Sequence, residues 1–350
     1  YKPDGRANNI FVSAKTEKEL RDKIAEVKVK AKTGQIMKQS DMLLHEYIDS
    51  WIETYKAAAG INTRAMYDNA VNKHIKPALG HLPLNKIVRS DVQALINDNI
   101  EHPRTCEIIR MTLVQILNSA IDDKLLYDNV AKKATLPKRH KSEKRALTDL
   151  EKEALKKADF TVQEHALVML LFYFGLRRGE VLALTKSDID LKKRVLTVNK
   201  AVVFDVNTPV IKEGAKSDAG NRSIPIPESA VAFLRDFLKA VDTFYLFPGK
   251  NAETLSKTQY VKMWARIIKK MNDAVTSDRE KIIGAEPISD LTAHIFRHNY
   301  CTMLYYSGIS QKKAVELMGH SDIKMIMEVY AHLDEKKEAV QEKLNTAIAL

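Results

Sequence analysis

The chain has 350 residues, which suggests two or three cores, and its 45% hydrophobic content fits a globular protein. Lys and Arg number 56 against 45 Asp and Glu, a net charge of +11 that favours an anionic partner, nucleic acid first and an anionic membrane surface second. No apolar run approaches the ~18 residues of a membrane span, and two cysteines, Cys106 and Cys301, rule out a disulfide framework and point to a reducing compartment.

Residues 1–32 open with a turn signal at Pro3, Asp4 and Gly5, followed by a strand-like Ile10-Phe11-Val12 and a charged helix over 17–30. That is too little apolar surface for an independent domain. With Tyr1 in place of Met, the segment is expected to be the remnant of a larger N-terminal domain. Residues 40–130 are helical in pattern. Leu44, Tyr47, Ile48, Trp51, Ile52 and Tyr55 form an i, i+3, i+4, i+7 stripe. A second helix is expected from Thr63, capped by Asn62, to a stop at Pro77 and Gly80. Ser90 and Asp91 start a third, and 104–124 is a fourth. Four helices with short connections predict a compact all-α module.

Residues 131–145 carry seven Lys or Arg against one Glu and include Pro137, which marks an inter-domain linker. Lys132, Lys133, Lys138, Arg139, Lys141, Lys144 and Arg145 are candidates for contacts to phosphates. Residues 146–333 are mostly helical with one β insertion. Ala166–Phe174 reads as a buried helix, Val195–Val198, Ala201–Phe204 and Arg222–Ile226 as strands, and 212–221 as a turn-rich exposed loop. Residues 334–350 read as an amphipathic helix with Val340, Leu344, Ala347 and Ile348 along one face.

Several chemistries lack their motifs. There is no Gly-x-x-x-x-Gly-Lys-Ser/Thr phosphate loop and no Gly-x-Gly-x-x-Gly turn, so no nucleotide cofactor is expected. Neither Cys-x-x-Cys nor His-Glu-x-x-His is present. His294 and His298 are spaced i, i+4 near Cys301, but Arg297 shares their helical face and disfavours a divalent cation, so no metal is expected.

Four short segments carry a positive signal. Gly175-Leu176-Arg177-Arg178-Gly179-Glu180 breaks an apolar helix and starts another, and His294-Ile295-Phe296-Arg297 places two cationic groups one turn apart. Leu317-Met318-Gly319-His320 ends a helix, and Val329-Tyr330-Ala331-His332 follows ten residues on. Taken singly, Tyr330 reads as a core aromatic, His320 as a helix-end residue, Arg297 as a surface ion-pair partner and Glu180 as a first-turn acid. In order, as Arg…Lys…His-x-x-Arg…Gly-His…Tyr, they resemble the tyrosine recombinase (phage integrase) family, over roughly residues 40–350.

The resemblance implies a mainly α fold with a small β-sheet, arranged as a two-domain C-shaped clamp on double-stranded DNA. Residues 1–32 would be the remnant of an arm-site-binding domain, as in integrases of phages and conjugative transposons. Residues 40–130 would bind the core site, 131–145 link, 146–333 catalyse, and 334–350 pack on a neighbouring protomer. Arg177 and Arg297 would clamp the non-bridging oxygens of the scissile phosphate, and Tyr330 would attack in line to leave a 3′-phosphotyrosyl link. Lys216 would protonate the leaving 5′-oxygen, with Lys212 as an alternative, and Arg178 stands beside Arg177 as a weaker candidate. His294 would accept the tyrosine proton, His320 would hydrogen-bond the phosphate, and Glu180 would orient the other groups. The implied assembly is a homo-tetramer passing through a Holliday junction in the bacterial cytoplasm, at the nucleoid, with accessory excision or DNA-bending proteins. It would move a mobile genetic element without ATP or metal. The rival readings are a type IB topoisomerase, a metal-dependent nuclease and a non-catalytic DNA-binding regulator.

Overall fold

The protein was studied as a computed structural model, which describes residues 12–32, 42–139, 145–214, 221–250, 253–276, 286–319 and the helical positions 326, 327, 329–331 and 333. It divides into two compact units, Tyr1–Lys141 and Ser142–Leu350. Lys141, Lys144, Lys216, His320, Ile10 and Phe11 and the segment 334–350 lie outside the described residues.

The first unit opens with the charged helix α1 (Glu17–Lys32). Helix α2 (Leu44–Tyr55) turns Leu44, Tyr47, Ile48 and Trp51 inward, as its stripe dictates. Helix α3 spans Ile61–Ala70 and is entered from Gly60, so the cap is Gly60 and not Asn62. Pro77 does not stop the chain either. A π-helical turn over Val71–Ile75 leads directly into α4 (Lys76–Leu79). Proline cannot donate to the carbonyl four residues back, and the wider π turn accommodates that loss inside a continuing helix. Helices α5 (Arg89–Asn97) and α6 (Pro103–Asp122) complete the set. Ile109, Leu113, Ile116 and Leu117 of α6 form the floor of a core that also takes in Trp51, Ile75 and Leu95.

The basic stretch after α6 is docked along its first part. Asn129 accepts from the Ala131 N–H and donates to the Val114 carbonyl at 2.8 Å, which seats a 3-10 turn over Val130–Lys133 on α6. Ala131 and Ala134 are buried, and Gln93 exchanges two hydrogen bonds with the Thr135 backbone. A solvated tether would show none of these contacts, so 131–136 belongs to the helical unit.

In the second unit, α7 (Asp149–Lys157) and α8 (Val162–Phe174) each begin with a Thr…Glu capping box. Helix α8 is apolar all round and lies at the centre of the core, in contact with α10 (Glu228–Ala240) and α12 (Ala293–Tyr306). After α9 (Arg178–Ala183), β1 (Ile189–Asp190), β2 (Val195–Val198) and β5 (Arg222–Pro225) form an antiparallel sheet in the order β1-β2-β5. Strands β3 (Lys200–Asp205) and β4 (Thr208–Glu213) make a separate hairpin. Strand β4 contradicts the expected loop at its Lys212 end. Pro209 obscured it in the sequence, yet proline is tolerated where a strand has only one partner. Helices α11 (Lys257–Ala274) and α13 (Gln311–Met318) complete the unit, and Tyr330 sits in a helical segment beyond α13.

Helix α9 is seated on β3 through Gly179, where a Cβ would overlap the Val202 carbonyl oxygen. Alanine is the better helix former by about 1 kcal/mol, but a backbone atom cannot move aside as a side-chain tip can. Gly179→Ala should therefore lower the melting temperature by about 4–8 °C, corresponding to about 2 kcal/mol. Equal or higher melting by calorimetry would show that the contact is not tight.

Candidate active site

The site is built where helices end. Helix α8 terminates at Gly175 in the left-handed region, φ 56°, with its N–H on the Leu171 carbonyl at 3.0 Å. A Cβ there would lie 2.5 Å from Tyr300 Cδ1, so both the turn and the packing demand glycine. Two residues on, Arg177 is the N-cap of α9. Its N–H donates to Glu180 Oε2 at 2.8 Å, and its guanidinium to Glu180 Oε1 at 2.6 Å. The neighbouring Arg178 is turned away, its guanidinium over the rings of Phe204 and Tyr260 at 5.4 and 5.5 Å.

Helix α13 ends in the same way, at Gly319 with φ 62°. The last carbonyls of a helix have no partner in their own helix and lie at the negative end of its dipole. Here each receives an arginine. Arg222 Nε donates to the Leu317 carbonyl at 2.8 Å, Arg297 to the Met318 carbonyl and Arg177 to the Gly319 carbonyl at 2.8 Å. Arg297 also donates to the Gly175 carbonyl at 2.7 Å, which ties the two helix ends together. Arg222 comes from β5, Arg297 from the first turns of α12 and Arg177 from the start of α9.

Glu180 is buried beneath this group. Burial alone would raise its pKa, but hydrogen bonds from Arg222 at 2.8 and 3.1 Å, and the charges of Arg222, Arg177 and Arg297, hold it at about 2. Arg297 is buried too. Desolvation first, then the charge of Arg177, bring it down to about 9 against the pull of Glu180, so it is still cationic at neutral pH.

His294 lies exposed in the first turn of α12. Desolvation of its ring, then the charges of Arg297, Arg177 and Arg178, lower its pKa, which favours the neutral imidazole. Tyr330 is only 5% exposed, its ring edge-on to Tyr305 with centroids 5.0 Å apart. Its hydroxyl donates to the Ile309 carbonyl at 3.0 Å, and burial, with Cys301 and Tyr305 nearby, pushes its pKa up to about 12. Among the described residues no group of three or more His, Cys, Asp or Glu is placed to hold a metal, and no helix is long and apolar enough to cross a membrane.

The structure thus brings together Arg177, Glu180 and Arg297 of the sequence-derived set, and adds Arg222, which sequence reading treated only as the start of a strand. The signal was present, since Arg222 stands in Lys-x-x-x-x-x-Arg-Ser-Ile-Pro, six residues after Lys216. The basic candidates near 131–145 divide. Lys132 and Lys138 are exposed with no carboxylate partner among the described residues. Lys133 pairs with Asp128 at 2.5 Å, and Arg139 with Glu107 at 3.5 Å. Arg145 is held inside the second unit by both oxygens of Glu151 at 2.7 Å and by Asp290 at 2.7 Å, so its donors are engaged with carboxylates.

A helix-rich unit whose arginines converge on one helix end, with a tyrosine on the following segment, offers clustered guanidinium donors of the kind that suit anionic oxygens. Residues 140–337 match the Phage integrase family, and residues 43–99 match the Phage integrase, N-terminal SAM-like domain. The chain belongs to the phage integrase family of tyrosine recombinases. It is similar to a Tyrosine recombinase XerC-like protein of Caldanaerobacter subterraneus subsp. tengcongensis, 24% identical over 360 residues, covering 93% of this chain and 88% of that one. Its fold is similar to that of the Tn1549 transposon integrase in complex with a circular intermediate DNA (TM-score 0.69, 24% identity, 87% of this chain and 99% of that one). It is also similar to a lambda integrase tetramer bound to a Holliday junction (TM-score 0.65, 19% identity, 91% and 88% covered).

Glu180 provides a test by acid titration. Its folded pKa, about 2, lies below the ordinary 4.5, so its contribution to stability is full above pH 4.5 and is lost as pH falls toward 2. The shift corresponds to something on the order of 3 kcal/mol. Urea unfolding of wild type and Glu180→Gln should therefore show a gap at pH 6 that narrows at pH 3. A gap independent of pH would mean the carboxylate charge is not what the arginines hold.

Proposed function

We propose that the protein is a site-specific recombinase that moves a mobile genetic element by cutting and rejoining DNA through Tyr330. The observation that supports this best is the convergence of Arg177 and Arg297, from different elements, on the end of α13 above a buried carboxylate. Paired guanidinium donors suit the non-bridging oxygens of a phosphodiester, whose charge grows in a pentacoordinate transition state.

In this reading Tyr330 Oη attacks the phosphorus, the bond to the 5′-oxygen breaks, and the chain is left joined to a 3′-phosphate. The tyrosine proton passes to His294, whose pKa is lowered by desolvation and then by the nearby arginine charges, which favours the neutral form that can accept it. Lys216 gives a proton to the departing 5′-oxygen, and His320 adds a hydrogen bond to the phosphate. A 5′-hydroxyl from a second duplex then reverses the step, so bond energy is conserved and no nucleotide cofactor is needed. Before attack Tyr330 gives up its bond to the Ile309 carbonyl, a cost of about 1 kcal/mol. The helical unit with Lys132 and Lys138 holds core-site DNA, four protomers assemble on two duplexes, and the reaction takes place at the bacterial nucleoid. The relatives support this, since the Tn1549 enzyme was captured on a circular intermediate and the lambda enzyme as a tetramer on a Holliday junction.

Two experiments on nicked suicide duplexes spanning the joined ends of the element test the reading. Tyr330→Phe should bind DNA within about threefold of wild type and form no covalent adduct on denaturing gels. Adduct in that variant would remove Tyr330 as nucleophile. Because guanidinium groups supply the charge a metal would otherwise supply, wild-type adduct should form at an undiminished rate in excess EDTA. Loss of adduct that Mg²⁺ restores would favour a metal-dependent nuclease.

A further inference from the structure

Arg222 is buried like Arg297 but differs from both arginines assigned to phosphate in gripping Glu180 with two nitrogens. It is 6% exposed, its Nε is on the Leu317 carbonyl, and its two terminal nitrogens grip both oxygens of Glu180 at 3.1 and 2.8 Å. Glu180 Oε1 is shared between Arg222 and Arg177. We infer that Arg222 is a positioning residue for strand transfer, which fixes Glu180, and through it the guanidinium of Arg177, against the end of α13.

The inference rests on the reading of Arg177 and Arg297 as the phosphate clamp. Two arguments carry it. The first is geometric. A carboxylate bound on one side by Arg222 presents a fixed edge to Arg177, whereas a carboxylate without that grip can turn both oxygens toward Arg177 and draw its guanidinium away from the substrate. The second is electrostatic. Three arginines around one carboxylate leave two positive charges, the count that matches a pentacoordinate phosphorus formed from a diester. Without Arg222, Glu180 neutralises one of the two remaining arginines. Lysine cannot reproduce the grip, because one ammonium does not span two carboxylate oxygens and a carbonyl in a plane.

The experiment is single-turnover cleavage of the nicked suicide duplex by wild type, Arg222→Lys and Arg222→Met, with DNA affinity measured in parallel. The expected result is a fall of about 100-fold in cleavage rate for Arg222→Met, the size of effect that a displacement near 1 Å produces. DNA affinity should stay within about threefold, and Arg222→Lys should recover part of the rate. The pH profile separates positioning from mere stability. The charged groups facing Glu180 are Arg177 at the start of α9, Arg222 from β5 and Arg297 from α12, with His294 titrating nearby in every variant. In wild type Glu180 stays ionised, at about 2, across the whole accessible range. In Arg222→Met its buried carboxyl loses its strongest partner and its pKa rises, so cleavage should acquire an additional loss as pH falls from 8 to 5.

An undiminished rate in Arg222→Met overturns the inference. So does an equal loss of rate and DNA affinity with an unchanged pH profile. If Arg222→Met does not fold, Arg222→Lys decides, and a wild-type rate and pH profile in that variant overturn it. Absence of adduct in wild type itself overturns the reading of the clamp, and the inference with it.

Discussion

The second unit is organised around a buried negative charge. Glu180 stands in a low-dielectric setting where an unpaired carboxylate would cost several kcal/mol, and that cost is met by guanidinium groups from separate segments. Satisfying it fixes where α9 begins, how β5 is held and where α13 stops, because the arginines that reach Glu180 use their other donors on the Leu317 and Gly319 carbonyls. The arrangement is less a source of net stability than of uniqueness. An apolar core tolerates small slips, whereas a shared carboxylate with directional donors does not.

The proposed nucleophile, Tyr330, is held by other contacts, the Ile309 carbonyl and the Tyr305 ring. With a pKa pushed up to about 12, the Tyr330 hydroxyl is about 7 kcal/mol from its phenolate at pH 7. Among the described residues, the groups found next to it are a carbonyl, a thiol and another phenol, none of which offsets that. The field that stabilises a phenolate is around the arginines. In the proposed reaction the control point therefore lies in the delivery of the tyrosine, and the clamp needs no assembly.

Much of this was legible in the sequence, for identifiable reasons. Gly175 and Gly319 each announced a helix end, Arg177 fell at the helix restart the pattern gave, and His294 and Arg297 fell one turn apart on one helix. The stripe on α2, apart from its last member Tyr55, which is exposed, and the apolar run of α8 were read correctly because burial imposes those periods. The failures are equally physical. Asn62 is a good cap by type, but Gly60 captured the start, and Pro77 is a breaker by type that a π turn absorbed. Strand β4 was hidden by Pro209. Arg222 was read only as the start of a strand despite the motif around it, because its partner is a carboxylate 42 positions away and no local period records such a pairing. Composition marked the basic run as an inter-domain linker, and Asn129 and Gln93 dock its first part onto the helices, contacts that composition does not record.

The acceptors that line up the three arginines are main-chain oxygens of Leu317, Met318 and Gly319. Their chemistry is the same whatever side chain stands at 317 or 318, provided the helix still ends there with a residue that tolerates φ 62°. Selection on the proposed phosphate clamp therefore acts on this strip of backbone as geometry, while the buried side chains of Leu317 and Met318 answer separately to the core. A scan by side-chain substitution would read both positions as core packing, although it is their carbonyls that hold the cations in place.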